Sequence, residues 1–316
     1  MADKRTIVIA GATGAQGGGL ARAILNDKNS SFKVRAITRD VNSDKAKELK
    51  KLGAEVVSGN IDEGESLNKA FEGAYGAYCV TFYWAHMSPD REISNAHNLA
   101  KAAKHAGIKH AIWSTFEDTR KKFPLSDTRM PTLNGRFKVP HFDCKAEADH
   151  YFTDLGVPTT FLLTSFYWDN LIYFGMGPKK GADGKYSITF PMGNKKLPSM
   201  AAEDIGKCAY GIFKLENELI GKTVGIAGEH ITIQKMAEIL TKVLGVDIRY
   251  NDVTPDVFRS FGFPGADDMG NMFQYKRDYE DEYFKNRNLD FSRSLNPELM
   301  TFEKWAAANK NRIPLQ

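Results

Sequence analysis

Gly11, Gly14 and Gly17 recur at three-residue intervals in the stretch IVIAGATGAQGGGLARAIL, and Arg39 follows at the end of the next apolar run. Residues of these types do phosphate chemistry. A glycine turn lets a pyrophosphate approach the backbone, and the helix that follows offers free N–H groups and a partial positive charge. A guanidinium roughly 20 residues further on accommodates a 2′-phosphate by fork contacts, where a carboxylate would hold a free 2′-hydroxyl. Gly11, Thr13, Gly14, Gln16 and Gly17, with Thr38 and Arg39, are therefore candidate contacts for an NADP(H)-type dinucleotide. The bland alternatives are an ordinary tight turn and a solvated arginine. Asp40 is only one residue away, so a one-residue shift in register would switch the preference to a free ribose.

These residues need a strand before them and a helix after them. TIVIA (6–10) is β-branched and lacks polar alternation, as in a strand buried on both faces; beyond it Leu20, Ala21 and Ile24 keep helical spacing. Strand and helix patterns then alternate. KVRAITR (33–39), AEVVSG, GAYCVTF (76–82), HAIWST (110–115) and PTTFLLT (158–164) read as strands. The helices between them include SDKAKELKKLG, which begins at Ser43 and stops at Gly53, and one predicted over 143–155. Such alternation predicts an α/β Rossmann fold: a doubly wound parallel sheet with helices on both faces. Residues 117–140 contain three prolines and no clear period, and read as a long loop or lid.

The division expected is a nucleotide-binding domain over 1–164 and a smaller mixed α/β lobe over 165–316, with room for some of its segments to rejoin the first sheet. In such sheets ligands bind at the carboxyl ends of the strands. Asn60 and Asp62, after the third strand, would meet an adenine edge; Thr81, Phe82 and Tyr83, after the fourth, would flank the phosphates and the nicotinamide ribose. Strand-end turns and core aromatics are the alternative at each position.

Composition narrows the classes. The chain has 316 residues, 42% hydrophobic and 26% charged, with a net charge of +4 and no long basic block, so neither a nucleic-acid surface nor a membrane surface is indicated. No apolar stretch approaches the roughly 18 residues needed to span a bilayer, and MADKRTIVIAGATG has no signal-peptide pattern; cytosol or nucleus is the expected location. Cys79, Cys144 and Cys208 are far apart and form no CxxC, so neither a disulfide framework nor a metal site is expected.

GATGAQG, AITRD, VTFYW, HFDCKAEADHYF, FLLTSFYWDNL and GFPGADDMGNMF together resemble the NmrA-like proteins, a branch of the atypical short-chain dehydrogenase/reductase superfamily, over nearly the whole chain. The resemblance implies a Rossmann domain, NADP(H) binding and a small C-terminal lobe; Phe166 and Tyr167 complete the candidate cofactor contacts. Short-chain dehydrogenases use YxxxK, in which the tyrosine gives a proton and the lysine lowers its pKa and holds the ribose. Here the matching lysine is Lys145, and His141 stands in place of the tyrosine. An imidazole carries a proton near neutral pH, so both are candidate catalytic residues, with a solvated helix start as the alternative. Ser114 and Thr115 offer hydroxyls on strand five. Cys144, beside Lys145 near a helix N-terminus, reads either as a thiol of lowered pKa that senses oxidants or as a packing residue.

Two functions follow. An intact nucleotide cradle beside an altered catalytic motif points to an NADP(H) redox sensor that regulates a partner protein, its cofactor ordering the 117–140 loop. The alternative is an NADPH-dependent reductase of a small carbonyl, quinone or enone, with Phe166, Tyr167, Trp168 and Tyr173 walling an apolar pocket. ITIQKMAEILTKVLG with Phe258, Phe261 and Phe263 reads as a contact surface for a partner or a second copy, or as core of the small lobe.

Overall fold

In the computed structural model, which describes residues 4–316, a seven-stranded parallel sheet carries the first half of the chain. Its first strands and helices alternate: β1 (Arg5–Ile9), α1 (Ala15–Asn26), β2 (Phe32–Thr38), α2 (Asp44–Lys51), β3 (Glu55–Ser58), α3 (Gly64–Phe71), β4 (Gly76–Cys79), α4 (Pro89–His105), β5 (His110–Thr115), α5 (Pro140–Asp154) and β6 (Thr159–Leu163). Residues alternate between its faces, as the pleat requires. Ile7 and Ile9 join one buried cluster with Leu20 of α1, while Val8 and Ala10 join another with Leu67 of α3, Leu99 of α4 and Phe152 of α5.

The remaining elements are β7 (Phe166–Tyr167), α6 (Asn170–Tyr173), β8 (Lys179–Lys180), β9 (Tyr186–Phe190), β10 (Lys196–Met200), α7 (Ala202–Lys214), β11 (Thr223–Gly225), β12 (Glu229–Thr232), α8 (Ile233–Leu244), β13 (Ile248–Asp252), α9 (Pro255–Arg259), α10 (Ala266–Asp278), α11 (Glu280–Lys285), α12 (Leu289–Leu295) and α13 (Phe302–Ala308). The large sheet runs β11-β6-β5-β4-β1-β2-β3, the order reversing at β1. Two three-stranded sheets, β12-β10-β7 and β13-β9-β8, make the lobe beside it. The chain does not part cleanly near residue 164. β11 pairs with β6, and α7 packs against α1, so residues 202–225 return to the first sheet.

That return explains Gly19, just beyond GATGAQG. A Cβ at Gly19 would lie 2.6 Å from the Glu203 carbonyl oxygen, and one at Gly206 would collide with the backbone nitrogen of Leu20. Gly19 and Gly206 thus let α1 and α7 cross nearly backbone to backbone, whereas Gly11 and Gly17 shape the turn itself.

Two expectations are corrected. Helix α5 begins at Pro140 rather than near residue 143, because proline has no N–H to lose at a helix's first position, and this puts His141 in its first turn. The 117–140 segment is not a free lid. Asp143, fully buried, accepts four hydrogen bonds: from the N–H and hydroxyl of Thr119 (2.8 and 2.7 Å) and from the N–H groups of Lys138 and Val139 (2.8 and 3.0 Å). One carboxylate therefore closes both ends of the loop. Lys138 Nζ donates to the carbonyls of Asp127 and Met130 within it, both at 2.7 Å. These contacts tie the loop down at both ends and within.

Candidate functional site

Sheet register gathers the glycine turn and the strand-end residues along one edge. Ile9 pairs with Ala36 on one side and Tyr78 on the other, Thr38 with Ser58, Cys79 with Trp113, and Thr115 with Leu163. Gly11, Thr38, Asn60, Thr81 and Thr164 therefore leave the sheet at its carboxyl edge, around the point where strand order reverses, which is where open α/β sheets bind ligands.

The glycine turn fits a pyrophosphate. Gly11 has φ +65°, and a Cβ at Gly17 would stand 2.5 Å from the Gly11 carbonyl oxygen. Gly14 caps α1 without a side chain, so no protein group takes the first-turn N–H donors, and an anion there would. Gln16 is different. Its amide oxygen accepts from Tyr78 Oη at 2.5 Å and Ser114 Oγ at 2.9 Å, and its amide nitrogen donates to Tyr167 Oη at 2.6 Å. The Gln16, Ser114 and Tyr167 side chains are thus occupied with one another, tying α1 to β4, β5 and β7.

At the end of β2, Arg39 is exposed and has no ionic partner among the described residues. Asp40, its rival for the ribose, is turned into its own loop: its carboxylate accepts from the N–H of Asn42 at 2.8 Å. Thr38 Oγ1 accepts from the N–H of Asp40 at 3.2 Å. After β3, Asn60 Nδ2 donates to Glu63 Oε1 at 2.9 Å. The carboxylate of Asp62 is forked by Arg91 at 2.8 and 2.6 Å, a hydrogen-bonded charge that holds its pKa below the usual range. Phe82 is 58% exposed while Thr81 and Tyr83 are buried. Phe166 points away from this edge, into the lobe core against Phe190 and Phe273.

The catalytic candidates are held by partners the sequence did not disclose. Lys145 Nζ is surrounded by Thr81 Oγ1, the Thr81 carbonyl at 3.3 Å and Glu92 Oε1 at 2.5 Å. Thr81 thus accepts two hydrogen bonds from the ammonium, and Glu92 pairs its charge. Glu92 is fully buried and also accepts from Thr81 Oγ1 at 2.5 Å. His86 Nδ1 accepts the N–H of Ser88, which leaves the proton on Nε2, 3.2 Å from Glu92 Oε2. Burial alone would raise the Glu92 carboxyl; the charge of Lys145, the nearby His86 and the hydrogen bond from Thr81 outweigh it and bring the pKa down to about 2.

His141 Nδ1 lies 2.6 Å from Asp268 Oδ1, and its backbone N–H donates to Asp268 Oδ2 at 3.2 Å. The carboxylate accepts from Nδ1 and leaves Nε2 on the other side of the ring. Trp84, Phe142 and Phe116 pack around the imidazole. Asp268 comes from α10, in the lobe, so this pair bridges the two halves.

Where two readings stood open, the structure takes the packing one. Cys144 is buried beside Tyr83 and Phe137, and burial pushes its thiol well above the usual value, against a lowered pKa. The aromatic wall does not form: Phe166 and Trp168 are core residues, Tyr167 bonds Gln16, and Tyr173 is exposed against Arg312. The apolar side of α8 and Phe258 are likewise core, with only Phe261 and Phe263 at the surface. Nothing in the local sequence marks Glu92 or Asp268; Glu92 reads as an ordinary acid in a helix's first turn.

A family model for the NmrA-like family matches residues 3–306. The chain belongs to the NmrA-like family. Among relatives, an NmrA-like family domain-containing protein of Dictyostelium discoideum is 30% identical over 261 residues, 79% of this chain and 81% of its own. An NmrA-like family domain-containing oxidoreductase of Penicillium ochrochloron is 26% identical over 306 residues, 91% of this chain and 88% of its own. Among solved structures, NmrA, a negative transcriptional regulator in complex with NADP, superposes with a TM-score of 0.78 at 24% identity, over 96% of this chain and 95% of that one. At that identity the likeness to NmrA speaks for the fold. No helix among the described residues is long and apolar enough to cross a membrane.

Proposed function

We propose that this NmrA-like protein is an NADP(H) sensor that regulates a partner protein. The observation that carries the reading is the engagement of Lys145: Thr81 accepts two hydrogen bonds from it and the buried Glu92 pairs its charge, in a motif where histidine replaces the proton-giving tyrosine. Gly11, Gly14 and Gly17 with the N-terminus of α1 hold the pyrophosphate, and the free guanidinium of Arg39 takes the 2′-phosphate. Bound, the nicotinamide supplies or accepts a hydride. Thr81 is both a candidate contact for the cofactor and the acceptor that anchors Lys145, so occupancy bears directly on the tie between α4, β4 and α5. A tenfold shift between two conformers needs about 1.4 kcal/mol of differential binding. Calorimetry with NADPH, NADP+ and NADH, followed by sedimentation and partner capture with and without each, tests the reading. Tight NADP(H) binding that moves neither the oligomeric state nor the captured partners would sink it.

A second reading, an NADPH-dependent reductase of a carbonyl, quinone or enone, is favoured by the His141–Asp268 pair and by the oxidoreductase name of the Penicillium relative. Asp268 holds Nδ1–H, and His141 gives a proton from Nε2 to the substrate oxygen as hydride reaches the carbon. NADPH oxidation across a panel of such compounds, reduced by orders of magnitude in His141→Ala, is the expected result. Turnover unaffected by that change would remove His141 from the chemistry.

A further inference from the structure

Helix α10 is seated over the cleft by polar side chains along its length. Asp268 takes His141; Asn271 Nδ2 donates to the carbonyls of Pro131 and Lys138 at 3.0 and 2.5 Å; Gln274 Nε2 donates to the carbonyl of Arg129 at 2.9 Å. At its N-terminus a Cβ on Gly265 would lie 2.7 Å from the ring of Trp84. The polar contacts bind the lobe to the 117–140 loop and to the first turn of α5, and each satisfies a buried polar group.

Lys276, on the same helix, opposes them. It is 2% exposed, and its amine sits 5.4–6.0 Å from the ring centroids of Phe142 on α5, Phe166 on β7, Phe273 on α10 and Tyr283 on α11. The hydrogen-bond acceptor it reaches is a thioether, Met272 Sδ at 3.3 Å. The nearby carboxylate, Glu117 after β5, is already forked by Arg287 at 2.5 and 3.0 Å. That guanidinium lies 3.6 Å from the Tyr283 ring and adds a like charge. Of the other titratable groups here, burial raises the phenols of Tyr275 and Tyr283 and keeps them neutral, while α5 and β7 present only the rings of Phe142 and Phe166. An ammonium in this cage has lost its water and gained no counter-charge, which cation–π attraction replaces only in part. Burial first, then Arg287, pull the amine down to about 7, against partial support from Glu117.

We propose that α10 is a pH-responsive latch, which seats over the cleft when the ammonium of Lys276 gives its proton to water and loosens when the amine takes one back. The latch works without nucleotide. Once α10 lifts, the amine regains an ordinary lysine value near ~10.4, so the open form binds a proton that the seated form has released. Opening therefore rises as pH falls from about 10 to about 7, by up to roughly tenfold per unit, and levels off below about 7, where both forms are protonated.

Hydrogen exchange at the amides of α10 and of residues 117–140, corrected for the intrinsic pH dependence of exchange and referenced to α4, tests this on wild type and Lys276→Met between about pH 6 and pH 9. Wild type is expected to show the sloped and then level profile, and the methionine variant a flat profile with slower opening at neutral pH. The wild-type profile stands as the test if the variant does not fold. A wild-type profile parallel to α4, or a methionine variant that opens faster than wild type at neutral pH, would overturn the latch.

Discussion

Lys145 and Glu92 meet at 2.5 Å between α5 and α4, with side chains 7% and 0% exposed. A pair so far out of water is costly to break from one side, because the survivor keeps its desolvation cost and loses its partner.

Glu92→Gln should therefore lower stability by about 3–5 kcal/mol at neutral pH, while Glu92→Leu combined with Lys145→Met should recover much of the loss; urea denaturation of wild type and both variants measures this. The pH dependence has a definite sign. The Glu92 carboxyl sits near about 2 when folded, below its ordinary 4.5, so its contribution is complete above pH 4.5 and is lost as pH falls through 2. Glu92→Gln should lack that acid limb.

Arg39→Glu should weaken NADPH binding by roughly 10- to 150-fold, the worth of a charge-assisted contact of about 1.5–3 kcal/mol, with little effect on NADH. Calorimetry of both nucleotides checks it. Asp40 is engaged by Asn42, so its removal should not change the preference.

Gly206→Ala forces a methyl into the backbone of α1 at Leu20. Stability should fall by about 3 kcal/mol, and nucleotide affinity should fall with it, because α1 carries the glycine turn at its N-terminus. Loss of stability with unchanged affinity would show that the two ends of α1 are uncoupled.

Native Cys144 should resist thiol reagents. All three cysteines are buried, and burial raises the thiol of each, so labelling should follow unfolding rather than precede it. Rapid native labelling of Cys144 would revive an oxidant-sensing role.

What could be read in the chain was what is written locally. Period and punctuation marked the strands of the large sheet from Thr6 to Leu163, and Ser43 announced the start of α2. The glycine turn and the arginine at the end of β2 were legible because phosphate chemistry uses backbone geometry and a fixed offset along one βαβ unit. Other features depended on segments far apart in the chain. Gly19 and Gly206 acquire their purpose only when α7 crosses α1; Asp268 reaches His141 from 127 residues away; and Glu92 becomes the counter-charge of Lys145 through the packing of α4 beside α5. Short-range spacing decided where a nucleotide's phosphates would lie. Long-range packing decided which charges remain free to act on it, because a side chain's partner inside a protein is set by what folds against it and not by its neighbours along the chain.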